Sequence, residues 1–140
     1  MKVRDVMSER PEYLEQEATI REAAERMRDA DRGFTPIAHN EKIVGIVTDR
    51  DIAVRAVAEG KSLDEQVKNI ASGKVLYCYE DDAITDVLQS MQDQRVQRFV
   101  VLNNDTNKDF VGVVSLGDIA AHCQSGDLSQ RVVNASRLYH

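Results

Sequence analysis

Apolar residues recur with helical spacing in two stretches. Ile20, Ala23, Ala24 and Met27 fall at i, i+3, i+4 and i+7, and Ile84, Val87, Leu88 and Met91 repeat that spacing. Each set predicts an amphipathic helix with one buried stripe, which places Met27 and Met91 in a core. The first helix opens at Thr19-Ile20-Arg21-Glu22, a capping box in which the Thr19 hydroxyl accepts from the Glu22 N–H and the Glu22 carboxylate returns to Thr19. Asp82 is the expected cap of the second. Two short apolar runs, Phe34-Thr35-Pro36-Ile37-Ala38 and Ile43-Val44-Gly45-Ile46-Val47, flank the polar stretch His39-Asn40-Glu41-Lys42 and predict a hairpin. A further helix is expected from Thr48, carrying Ile52, Val54 and Val57 and stopping near Gly60. Ser62-Leu63-Asp64-Glu65 is expected to open a connecting helix.

The same order of elements is written twice. An offset of 64 places Val3-Arg4-Asp5-Val6 on Val67-Lys68-Asn69-Ile70, Tyr13 on Tyr77, Ile20 on Ile84 and Met27 on Met91. After the loop Asn103-Asn104-Asp105-Thr106-Asn107-Lys108-Asp109 the offset becomes 67, so that Gly45-Ile46-Val47-Thr48-Asp49-Arg50-Asp51 falls on Gly112-Val113-Val114-Ser115-Leu116-Gly117-Asp118. A duplication interrupted by one three-residue loop insertion explains both offsets. The expected fold class is α/β of α+β character: two pseudo-symmetric repeats, each strand-helix-strand-strand-helix, over residues 1–62 and 63–127, followed by a tail over 128–140. A unit of about 60 residues buries little surface alone. The two copies are therefore expected to pack face to face as one module with equivalent clefts between them, where ligands commonly bind.

Composition narrows the function. Apolar residues make up 42% of the chain, enough for a packed interior. The net charge of -6 disfavours phosphate backbones and anionic lipid surfaces, so neither nucleic acid nor membrane is an expected partner. No apolar run approaches the ~20 residues of a membrane span. The N-terminus has no signal-peptide pattern, and Cys78 and Cys123 form no CxxC, which points to the cytoplasm.

Candidate chemistry sits at the repeated strand-to-helix corner, Thr48 with Asp51 and Ser115 with Asp118. One interpretation is purely structural: both pairs are capping boxes that satisfy amides at a helix start. The other adds a ligand. A helix start suits a phosphate, a hydroxyl there can donate to phosphate or ribose, and a carboxylate one turn on can accept from a vicinal diol. Hydrogen bonds to charged acceptors contribute about 1.5–3 kcal/mol each.

The doubled Gly-h-h-Thr/Ser-x-x-Asp motif, with the Thr35-Pro36-Ile37 strand before it, resembles a tandem pair of CBS domains, a stand-alone Bateman module covering about Val3 to Cys123. That resemblance implies an adenosine nucleotide such as AMP, ADP or ATP as a regulatory ligand, with no required cofactor. Thr48, Asp51, Ser115 and Asp118 are implied contacts to phosphate and ribose, and Arg98 is an implied phosphate ligand. The first copy has Phe34 in the place of Arg98, and Val100 stands in the place of Pro36. The resemblance also implies a homodimer that signals by conformational or dimer change to an unknown effector protein.

Arg50 is a further phosphate candidate, with a solvated helix-start charge as its alternative. Tyr13, Tyr77 and Pro36 are candidates for an adenine pocket, with packing as theirs. Asp49 and Asp51 form a D-x-D, although Asp49 is more simply a helix-dipole charge. His39, His122, His140 and the two cysteines form no metal-ligand ladder, and no motif pairs a nucleophile with a base, so no enzyme is expected. Two alternatives to nucleotide sensing stay open: a structural or interaction dimer that binds no nucleotide, and a metal-binding variant.

Overall fold

The two amphipathic stripes do form helices, and each packs on a small sheet. In a computed structural model, which describes residues 1–9, 12–71, 75–122 and 126–136, they are α1 (Ile20–Ala30) and α3 (Ile84–Gln94). Ile20, Ala23 and Met27 of α1 are buried, as are Ile84, Val87, Leu88 and Met91 of α3. The Thr19 capping box is present, with the Glu22 N–H donating to Thr19 Oγ1 at 3.1 Å. The chain divides into two compact units, one from Pro11–Val75 and the other from Met1–Arg10 with Leu76–His140.

The first unit holds a three-stranded sheet in the order β2 (Leu14–Glu15), β3 (Phe34–His39), β4 (Lys42–Thr48). Strand β2 runs parallel to β3, and β3 and β4 form the expected hairpin. Its turn uses Asn40 and Glu41 at φ 51° and 67°. Two positive values in succession suit a turn whose twist matches the strands. The other unit holds a four-stranded sheet, β1 (Ser8–Glu9), β7 (Phe110–Ser115), β6 (Arg98–Leu102), β5 (Tyr77–Tyr79), with the same parallel and antiparallel neighbours around β6. Two sheets and five α-helices make a mixed α/β fold that repeats the series strand-helix-strand-strand-helix.

The compact units cut the chain differently from the repeat boundaries at 62 and 127, because each repeat sends its leading segment to the other repeat's elements. The Val3 and Arg4 amides donate to the carbonyls of Asp82 and Glu80, both at 3.0 Å. At the equivalent place Val67 and Lys68 donate to Ala18 at 2.7 Å and Gln16 at 3.2 Å. The same exchange starts the helices. The Ile84 amide donates to the Met1 carbonyl and the Ile20 amide to the Glu65 carbonyl, each at 3.0 Å. Val3, Val6, Val67 and Ile70 are buried by it.

This exchange corrects two expectations. Residue Ala83, not Asp82, is the N-cap of α3, and it makes no side-chain cap bond. The Met1 carbonyl does that work, and the Asp82 carboxylate accepts from the Tyr79 amide at 2.9 Å instead. No connecting helix forms at Ser62-Leu63-Asp64-Glu65. The Asp64 and Glu65 amides turn back onto Ser62, while the Leu63 and Glu65 carbonyls take the Arg21 and Ile20 amides. With these carbonyls turned toward α1, the segment does not wind into a helix, and a 3-10 turn, Val67–Asn69, follows.

The expected tail is helical over its described residues. It forms α5 (Gly126–Ser136), which packs against α3 and contributes Leu128 and Ala135 to the core of its unit. The expectations for residues 137–140, His140 included, and for Cys123 lie outside the described residues.

Candidate functional site

Both corners start from an extended residue that ends a strand. Thr48 has φ -115° and ψ 164°, and Ser115 has φ -115° and ψ 162°. At the first, Asp51 N–H donates to Thr48 Oγ1 at 3.1 Å and Thr48 N–H to Asp51 Oδ2 at 2.9 Å. At the second, Asp118 N–H donates to Ser115 Oγ at 3.0 Å and Ser115 N–H to Asp118 Oδ2 at 2.9 Å. The capping boxes are thus complete twice over. Each is seated by one more matching bond: the Asp49 amide donates to the Gly33 carbonyl and the Leu116 amide to the Gln97 carbonyl, both at 2.9 Å. All four side chains stay half-buried at the surface of their units. Each carboxylate uses its Oδ2 in the cap, and Asp51 Oδ1 stands near Arg55.

The helices beyond the corners differ. The first is a three-residue α-turn, α2 (Asp49–Asp51), that widens into π-helix over Ile52–Val57, with Ala58 N–H donating to Ala53 O and Lys61 N–H to Ala56 O. Val54 and Val57 are exposed, Ile52 is half-buried, and Ala56 is the buried residue. The second is α4 (Leu116–Ala121), an α-helix whose Leu116 and Ile119 are buried.

The remaining candidates distribute over the two corners by strand register. Phe34 lies directly opposite Thr48, and Arg98 directly opposite Ser115. Residues opposed in an antiparallel pair share a sheet face, so each stands beside its hydroxyl. Pro36 is buried opposite Ile46, two residues along the same face from Phe34. Tyr77 pairs with Val100, two residues from Arg98, and is half exposed. Tyr13 immediately precedes β2 and is also exposed. Arg50 points from an exposed position on α2. Thr48, Asp51, Arg50, Pro36 and Tyr13 therefore belong to one unit, and Ser115, Asp118, Arg98 and Tyr77 to the other.

Three features escape a reading of motifs. Arg55 Nε stands 3.9 Å from Asp51 Oδ1, a contact that i,i+4 charge spacing would have found. The Asp49 carboxylate takes the Arg50 amide at 2.9 Å and lies so close to Gly33 that a Cβ there would meet Oδ2 at 2.8 Å. His122, at the place of Arg55, holds its Nδ1 2.9 Å from the Asp118 carbonyl. Away from the corners, Cys78 is buried in β5, and that burial, with the charge of Asp82 second, pushes its thiol up to about 12. Among the described residues no three His, Cys, Asp or Glu side chains cluster to hold a metal ion, and no helix is long and apolar enough to cross a membrane.

The family model for the CBS domain matches residues 3–57 and 67–125. Hypoxic response protein 1 of Mycobacterium tuberculosis is 29% identical over 121 residues, 85% of this chain and 82% of that protein, and its crystal structure with two coordinated zinc ions superposes with a TM-score of 0.77. The CBS domain pair of MJ0100, in complex with 5′-methylthioadenosine and S-adenosyl-L-methionine, is 27% identical with a TM-score of 0.74, covering 87% of this chain and 94% of that one. PAE2072 from Pyrobaculum aerophilum, a CBS domain protein complexed with AMP, is 25% identical with a TM-score of 0.77, covering 95% and 98%. With two matched repeats, each ending in the same capped corner, the chain is a tandem pair of CBS domains and belongs to the CBS-domain family.

Proposed function

We propose that the protein is a non-catalytic, regulatory module that binds an adenosine nucleotide or a related adenosyl ligand at its strand-to-helix corners. The observation that carries this is the duplicated hydroxyl and carboxylate at half-buried helix starts, Thr48 with Asp51 and Ser115 with Asp118. In this reading the hydroxyl and nearby amides serve phosphate or the ribose edge, and the carboxylate oxygen not used in the cap accepts from the ribose diol. Arg98 and Arg50 supply positive charge, and Tyr13, Tyr77 and Pro36 supply flat apolar surface for the base. The relatives solved with AMP, 5′-methylthioadenosine and S-adenosyl-L-methionine support the ligand class. Binding then acts by shifting conformation or homodimer geometry, which an effector protein in the cytoplasm reads.

A thermal-shift panel of AMP, ADP, ATP, 5′-methylthioadenosine and S-adenosyl-L-methionine tests the proposal. A ligand at about 100 times its Kd stabilises the folded state by about 2.7 kcal/mol. At least one should raise the melting temperature of the parent, and none should do so for the double variant Asp51→Asn, Asp118→Asn. No shift from any ligand at millimolar concentration would leave the corners as caps only. A second reading, metal binding, draws on the zinc-bound relative and predicts a zinc-dependent shift that chelation reverses.

A further inference from the structure

The two corners share a cap, but the residue one turn into each helix differs. Four positions after Asp51 stands Arg55, and four after Asp118 stands His122. Arg55 lies on the π-helical stretch Ile52–Val57, a winding that recurs at functional sites. Its guanidinium is held from two sides. Nη1 donates to the Ile70 carbonyl at 3.3 Å, just after the turn Val67–Asn69, and Nε stands 3.9 Å from Asp51 Oδ1. Oδ2 of the same carboxylate accepts from the Thr48 amide at 2.9 Å. At the other corner His122 addresses the main chain, with its Nδ1 2.9 Å from the Asp118 carbonyl.

A carboxylate fixed at one oxygen can still swing about that contact. A cation beside the second oxygen, itself anchored on a separate segment, sets the plane of the group. At 3.9 Å the guanidinium is beyond hydrogen-bond length, so it orients Oδ1 by charge and leaves the lone pairs of that oxygen to accept from elsewhere. Stability gains little from the pair, because the Arg55 side chain is 52% exposed, and placement is what the contact supplies. We infer that Arg55 is a positioning residue of the Thr48 corner: anchored on the Ile70 carbonyl, it holds Asp51 Oδ1 ready to accept a ligand hydroxyl and touches no ligand itself. This rests on the binding proposed above. It gives the Thr48 corner a support that the Ser115 corner does not take from His122.

Titration of the whole labelled chain with adenosine and, separately, with AMP tests it, with the amides of residues 48–51 reporting one corner and those of 115–118 the other. Arg55→Met should weaken both ligands alike at the Thr48 corner, by about two- to fivefold, and leave the Ser115 corner unchanged. Arg55→Lys, which keeps the charge, should fall between the parent and Arg55→Met. Without ligand, Arg55→Met should displace the Asp51 carboxyl carbon resonance and leave that of Asp118 in place. Arg55→Gln carries the same expectations should Arg55→Met lose its fold. A loss confined to AMP would make Arg55 a direct phosphate contact and overturn the inference. Unchanged affinity, equal loss at both corners, a lysine variant no better than methionine, or an unmoved Asp51 resonance would overturn it too. Failure of the parent to bind either ligand would instead remove the proposed function, and this inference with it.

Discussion

Gly112 is a glycine of the repeated motif that leaves no room for a methyl group. It lies in β7 opposite Glu9 of β1, and a Cβ built there would stand 2.5 Å from the Ser8 carbonyl oxygen and 3.1 Å from the Met7 sulfur. Ordinary contact begins at 3.4 Å, so strand β1 would have to retreat by roughly 0.9 Å. The obstacle is backbone, which cannot rotate aside as a side chain does. Overpacking of this kind costs about 1–3 kcal/mol. The upper end is bounded by an escape route: β1 is only two residues long and can peel away, giving up ladder bonds worth about 0.5–1.5 kcal/mol each. Gly112→Ala should therefore destabilise by about 1–3 kcal/mol, a fall of a few to about ten degrees in Tm for a chain of this size. The assay is urea unfolding, where the midpoint should fall at an unchanged slope. Gly126→Ala, at a position with nothing within 4 Å of its Cβ, is the control and should be neutral or slightly stabilising. An unchanged or raised midpoint for Gly112→Ala would refute the close approach of β1.

Three further outcomes follow from other parts of the fold. Thr19→Ala removes the hydroxyl that caps α1 and should cost about 0.5–2 kcal/mol by the same urea assay, with no loss marking the capping box as idle. Arg95 ends α3 in the left-handed region at φ 56°, where any side chain is strained, so Arg95→Gly should raise stability by about 0.5–1 kcal/mol rather than lower it. Cys78 has its folded pKa raised from 9.0 to about 12, so the folded chain keeps a proton that the unfolded chain gives up. Its contribution is whole below pH 9 and is lost as pH rises from there toward 12. The stability of the parent relative to Cys78→Ala should fall through that window, and a flat difference would contradict the assigned burial effect.

Local features were legible in the sequence and long-range ones were not. The stripes of α1 and α3, the β3–β4 hairpin and all three hydroxyl capping boxes depend on residues within a few positions of one another, where periodicity and spacing carry the information. The exchange of leading segments depends on backbone amides and carbonyls such as Val3 with Asp82 and Ile84 with Met1, which every residue possesses and which leave no pattern. For the same reason the cap of α3 was sought in Asp82, and a helix was expected where Leu63 and Glu65 lend their carbonyls to α1. The helix expected after Thr48 does form, but its winding over Ile52–Val57 is π-helical, a form that periodicity does not reveal, and Val54 and Val57 on it are exposed. At the corners the paired hydroxyl and carboxylate were visible as a repeated motif. The opposition of Phe34 to Thr48 and of Arg98 to Ser115 required strand register.

The most direct measurement of the proposed role is an amide nitrogen–proton correlation spectrum of the labelled protein during titration with AMP and 5′-methylthioadenosine. Saturable shifts should be largest at the amides of residues 48–51 and 115–118, with smaller ones at the facing positions Phe34 and Arg98. A spectrum that stays unchanged at millimolar ligand, or one whose shifts centre away from both corners, would contradict a binding role for the duplicated hydroxyl and carboxylate.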